Sequence, residues 1–182
     1  MGLILVGGLK HSGKTSLGRI IARDLDCPFF DMDELILEET SGAWKSVRKI
    51  YRDLGRDEFQ RLEEEAARNF VEWRLPELGG DPAVLALGGG TIENAAAMAW
   101  LSGRGTAVYL HADADLLFAR IMEGGRPPFL SEERPEEDFK ELYRKRDALY
   151  ADFADIIHDV DDSPQEINAQ RLLVVLEKRH AG

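Results

Sequence analysis

The eight residues GLKHSGKT, Gly8 to Thr15, directly follow the apolar run LILV. They fit the pattern G-x-x-x-x-G-K-[ST], which needs a strand before it, a helix after it and phosphate oxygens between. The chain must leave a buried strand, turn where a Cβ would block the backbone, and open a helix whose first N–H groups are free. Gly8 and Gly13 permit the turn. Lys14 then brings a point charge to the β and γ phosphates, and the Thr15 hydroxyl is placed to ligate Mg²⁺. His11, Ser12 and Ser16 belong to the same nucleotide-binding segment, His11 through its backbone rather than its ring.

The rest of the chain fits an α/β protein. LILVGG reads as a buried parallel strand and KTSLGRIIARDL as a helix with Leu17, Ile20, Ile21 and Leu25 on one side. PFFDMD is a short second strand. Residues 33 to 74 are helical and charge-rich, interrupted near Ser41-Gly42 and at Gly55. AVLALGGG and TAVYLHA are strands three and four, followed by a helix from Asp113 to about Glu123. GGRPPFLSEERPEED lacks apolar periodicity and carries three prolines, so it reads as an exposed loop, with Gly124 and Gly125 as hinges. A helix over FKELYRKRDALYADFA, a fifth strand ADIIHDV and a closing helix capped by Ser163-Pro164 complete the pattern. Five strands separated by helices imply a parallel sheet covered on both faces. One domain over residues 1–182 is expected.

Charge and composition exclude several partners. With 34 acidic residues against 23 Lys and Arg, the formal net charge is −11. Such a surface disfavours non-specific contact with nucleic acid or anionic membrane. Any anionic ligand therefore needs a local pocket of Arg and Lys. No apolar stretch approaches the ~20 residues of a membrane span, and the first apolar run ends at the glycine loop, as a strand does. Cys27 is the only cysteine, which fits a reducing compartment and the cytoplasm.

Asp31 and Asp33 close the second strand as DMD. Alternation in an extended segment puts both carboxylates on one side, with Met32 opposite. One could hold a magnesium water while the other reaches an acceptor hydroxyl. Alternatively, Asp33 precedes ELILEE as a helix N-cap.

With these segments in place, the chain resembles the shikimate kinases over nearly its whole length. The resemblance is carried by GKTSLGRIIARDL with FFDMDELI, by SVRKIYRDLG with FQRLE, by LALGGG, by RPPFL and by RKRDALY. It implies a three-layer P-loop kinase fold, with a five-stranded parallel sheet in the order 2-3-1-4-5 flanked by helices. It also implies a compact monomer that uses ATP and Mg²⁺ to phosphorylate the 3-hydroxyl of shikimate. Carried over, Lys14, Asp33 and Arg126 are catalytic, with Asp33 orienting the attacking hydroxyl and the lid residue Arg126 swinging onto the phosphates. Thr15 and Asp31 face the metal. Arg120 and Pro164 sandwich the adenine. Gly88, Gly89 and Gly90 let the backbone touch the acceptor, and Arg146 grips its carboxylate. The helical region about 33–75 would bind the acceptor, and residues about 124–136 would form the lid. Glu63 would pair with arginines.

Two positions depart from the family pattern. Gln60 stands where the family has an arginine for the acceptor's carboxylate, and Arg56 stands where it has a glutamate. Arg56 precedes Gln60 by four residues, one helical turn, and could restore the missing charge or remain solvated. The alternatives are a related kinase for another hydroxylated carboxylic acid, such as a gluconate-type acceptor, and a non-catalytic nucleotide-binding regulatory module.

Overall fold

The computed structural model of the chain describes residues 2–123, 125–127 and 130–180. The apolar run after Met1 forms β1 (Leu3–Gly7), buried at every position. It lies at the centre of a five-stranded sheet in the order β2-β3-β1-β4-β5, with β2 at Phe29–Asp31, β3 at Ala83–Ala86, β4 at Gly105–His111 and β5 at Ile156–Asp159. All four pairings are parallel. The burial of each strand follows its place. Every residue of β1 and β3 is buried, whereas the edge strand β5 alternates, with Ile156 and His158 inward and Ile157 and Asp159 outward.

The helices are α1 (Lys14–Asp24), α2 (Met32–Glu39), α3 (Val47–Asn69), α4 (Leu75–Glu77), α5 (Ala95–Leu101), α6 (Ala114–Glu123), α7 (Pro135–Phe153) and α8 (Gln165–His180). On α1, Leu17, Gly18, Ile21 and Ala22 turn inward, as the apolar spacing requires. The expected interruption at Gly55 is present. This residue has φ 82° and ψ −179° inside α3, so Arg56 opens a second helical segment. A single π-helical turn, Phe70–Arg74, joins α3 to α4.

Several boundaries differ from expectation. Asp31 carries the N-cap of α2: its Oδ1 accepts from the Asp33 N–H at 2.9 Å. Asp33 therefore lies inside the helix and does not cap it, and the extended alternation of DMD ends at Asp31. Helix α5, capped by Asn94, has no counterpart in the sequence reading. At the other end of the chain, Pro164 accepts the N–H of Asn168, which starts α8 one residue later than expected.

The proline-rich segment is not without an apolar anchor. Pro127 is buried, Leu130 is buried in the core, and the Leu130 N–H donates to the Pro127 carbonyl at 3.1 Å. Helix α7 begins at Pro135, within the stretch about 124–136 expected as the lid. The expected hinge residue Gly124 and the prolyl-phenylalanyl pair Pro128-Phe129 lie outside the described residues.

Gly105 shows how tightly the sheet is built. A Cβ placed there would overlap the Leu3 carbonyl oxygen in the neighbouring strand, with backbone on both sides of the contact. Gly105→Ala should therefore lower unfolding stability by about 1–3 kcal/mol, read from the midpoint of urea denaturation. An unchanged midpoint would mean that β4 shifts freely against β1.

Candidate active site

The carboxyl end of β1 runs into the glycine loop. Gly8 has φ 149° and Gly13 φ 94°, values that side chains rarely allow. His11, at φ 66°, is exposed, and its carbonyl accepts from Arg120 Nη1 at 3.4 Å. Gly13 precedes α1 without any side-chain cap, so the first N–H groups of the helix are free for an anion. Ser12 is fully buried, and its Oγ has no partner among the described residues; Ser16 is exposed at the start of α1. Lys14 Nζ donates to the Leu9 carbonyl at 2.9 Å. Withdrawal from water pushes its pKa down to about 8, against the pull of Asp33 and Asp31.

Beside the loop, Thr15 Oγ1 donates to Asp31 Oδ2 at 2.8 Å. Two hard oxygen donors therefore meet at the exposed end of the loop, which suits Mg²⁺ held partly by phosphates and water. Among the described residues there is no cluster of three or more His, Cys, Asp or Glu that could cage a metal by itself. Asp33 stands one step further in. Burial, followed by the charge of Asp31, raises its pKa to about 6 in spite of Lys14.

A cavity of about 390 Å³ opens next to Asp33. Its lining includes Asp33, Arg56, Gln60, Gly88, Gly89, Gly90 and Arg146, which brings together the whole expected acceptor set. The glycine triplet spans it. A Cβ on Gly88 would lie 3.3 Å from Asp33 Oδ1, one on Gly89 3.1 Å from the Lys10 nitrogen, and one on Gly90 3.2 Å from Arg146 Nη2. Thus Asp33 stands near the start of the triplet, the phosphate loop near its middle and Arg146 near its end. Tyr150 Oη fixes the Gly88 carbonyl at 3.1 Å.

Other expected residues lie elsewhere. Arg120 reaches Asp162 Oδ1 at 2.8 Å, so it ties the back of the glycine loop to the segment just before the exposed Pro164. Arg126 is not brought to the loop; its guanidinium is held by the Leu130 carbonyl and by Glu132. Glu63 is buried, but its hydrogen-bond partners are Thr91 Oγ1 at 2.6 Å and Asn94 Nδ2 at 2.9 Å rather than arginines.

The model of the shikimate kinase family matches residues 10–177. The chain belongs to the shikimate kinase family. Among shikimate kinases, it is 36% identical to that of Paracidovorax citrulli over 150 residues, 82% of this chain and 78% of the other. It is 34% identical to the enzyme of Alteromonas mediterranea over 170 residues, 93% and 94% of the two chains. Among solved structures, the shikimate kinase of Acinetobacter baumannii, in complex with shikimate, superimposes with a TM-score of 0.83. That match is at 27% identity over 98% of this chain and 94% of that one. The sheet order is thus that of the P-loop kinase fold.

Within the shikimate kinase frame, two cavity residues, Glu93 and Leu142, carry no motif in the sequence, and Tyr51 and Lys145 lie in SVRKIYRDLG and RKRDALY without a role read from them. Lys145 and Glu93 were visible only as charges beside Arg146 and the glycine triplet. Their pairing across 52 residues of sequence is a product of folding.

Proposed function

We infer that the protein is a shikimate kinase, which transfers the γ-phosphoryl group of ATP to the 3-hydroxyl of shikimate. The observation that carries this is the cavity in which the glycine triplet runs from Asp33, beside the phosphate loop, to Arg146. A small ring with a hydroxyl at one end and a carboxylate at the other matches that order of groups.

In this reading the free N–H groups after Gly8 and Gly13 hold the phosphates, and Lys14 neutralises charge on the γ-phosphoryl as it moves. Asp33 accepts a hydrogen bond from the acceptor hydroxyl and takes its proton while the oxygen bonds to the γ-phosphorus. The bond to the bridging oxygen breaks and ADP leaves. Arg146 holds the carboxylate, assisted by the cavity residues Arg56 and Gln60. Thr15 and Asp31 would hold Mg²⁺, which supplies charge neutralisation on the phosphates. Arg120 and Pro164 flank the adenine, and Arg126 leaves Leu130 and Glu132 when the lid closes. The helical region about 33–75 serves the acceptor. The protein acts as a cytoplasmic monomer with ATP and shikimate, not nucleic acid or membrane, as its partners; among the described residues no helix is long and apolar enough to cross a membrane.

ADP release coupled to NADH oxidation, with shikimate, quinate and gluconate as acceptors, tests the reading. Shikimate should give the highest kcat/KM. Preference for gluconate, or ADP release independent of any acceptor, would overturn it. The metal assignment has its own test. Thr15→Ala should raise the Mg²⁺ concentration for half-maximal rate about tenfold, the scale of one lost polar contact. An unchanged magnesium titration would remove Thr15 from the metal.

A further inference from the structure

Arg146 does not stand alone at its end of the cavity. Its Nε and Nη2 lie 2.8 and 2.7 Å from Glu93 Oε2, and its Nη1 donates to the Gly89 carbonyl at 3.0 Å. Glu93 Oε1 takes Lys145 Nζ at 2.6 Å. Only 11% of the Glu93 side chain is exposed. Burial would raise its pKa, but the hydrogen bonds from Lys145 and Arg146 outweigh this and hold the carboxyl below its usual range.

A carboxylate in a cavity for an anionic acceptor has two opposed effects. Its charge repels the acceptor. Its hydrogen bonds, however, freeze a long side chain that the acceptor would otherwise have to order on binding. The donor count favours the second effect. A guanidinium has five N–H groups. Nε donates to Glu93 and Nη1 to the Gly89 carbonyl, while Nη2 makes a close ionic contact with Glu93, so each terminal nitrogen keeps at least one N–H that these partners do not take. Lys145 offsets the charge of Glu93, so the positive charge of Arg146 remains available.

We propose that Glu93 is a positioning residue for the acceptor's carboxylate: held by Lys145, it fixes Arg146 so that one N–H on each terminal nitrogen meets the acceptor. The inference rests on the shikimate kinase reading and adds to it a residue that acts through Arg146 without touching the reacting atoms.

The test compares the unmodified protein with Glu93→Gln and Glu93→Asp, using shikimate and its uncharged methyl ester. In Glu93→Gln, kcat/KM for shikimate should fall about tenfold, with saturated kcat and KM for ATP unchanged. For the methyl ester, kcat/KM should be the same in both proteins, because no carboxylate reaches Arg146. Glu93→Asp keeps the charge but shortens the reach, and should shift kcat/KM for shikimate in the same direction. This variant serves if Glu93→Gln does not fold. A rise or no change with shikimate would show that Glu93 contributes only repulsion, or nothing. Equal losses with both acceptors would show a purely structural role. Either result overturns the proposal while the kinase reading stands. An unmodified protein that neither binds nor phosphorylates shikimate would overturn both.

Discussion

Asp33→Asn should lower turnover about 10²–10⁴-fold, the range for removing a positioned acid–base group, while ATP affinity stays nearly intact. The same change should stabilise the metal-free protein at neutral pH. In the folded state the Asp33 pKa is raised from 3.8 to about 6, chiefly by burial and then by Asp31. A carboxyl with a raised folded pKa is protonated without cost below about pH 4. Its ionisation then opposes folding increasingly as pH rises to about 6, and fully above that. Asn carries no charge to bury. The gain at pH 7 is bounded by about two pKa units, at most about 3 kcal/mol. Coupled ADP release and chemical denaturation of both proteins check the two halves. Loss of stability with full activity would make Asp33 a structural residue.

Lys14→Met should reduce kcat by about 10²–10³ or more, the effect of losing one electrostatic stabiliser of the moving phosphoryl group. The fold should survive. The ammonium is withdrawn from water, and the fall of its pKa to about 8 shows that the native state holds this charge against a desolvation cost. The apolar Met avoids that cost. Single-turnover measurements with saturating ATP and shikimate separate this loss from weakened binding. Turnover close to that of the unmodified protein would contradict the role given to the glycine loop.

The sequence made β1, the glycine loop and α1 legible because one local pattern demands all three: an apolar strand, two glycines with positive φ, and an amphipathic helix. The Gly55 break was legible for the same reason, since a glycine in a charged helical run marks a discontinuity. Short-range competition was harder to read. Two carboxylates two residues apart could each cap α2, and the choice fell to Asp31, which is in extended conformation at the strand end. That left Asp33 inside the helix and beside Lys14. The Asn94 cap and the AAAMAWL helix followed a glycine triplet whose turn signal masked them.

Side-chain partners set by distant elements were the least legible. Leu130 looked like part of a polar loop, yet it is buried in the core. Glu63 lies in an acidic run, and only the approach of Thr91 and Asn94 decides what it bonds. Glu93 shows no motif at all. Its meaning appears when α7 brings Lys145 and Arg146 to it.

Phosphorus and proton NMR of the product formed from ATP, Mg²⁺ and shikimate test the assignment most directly. The shikimate kinase reading predicts one phosphate monoester on the 3-hydroxyl, formed in equal amount with ADP. Phosphate on another hydroxyl, or ADP with inorganic phosphate and unchanged shikimate, would contradict it.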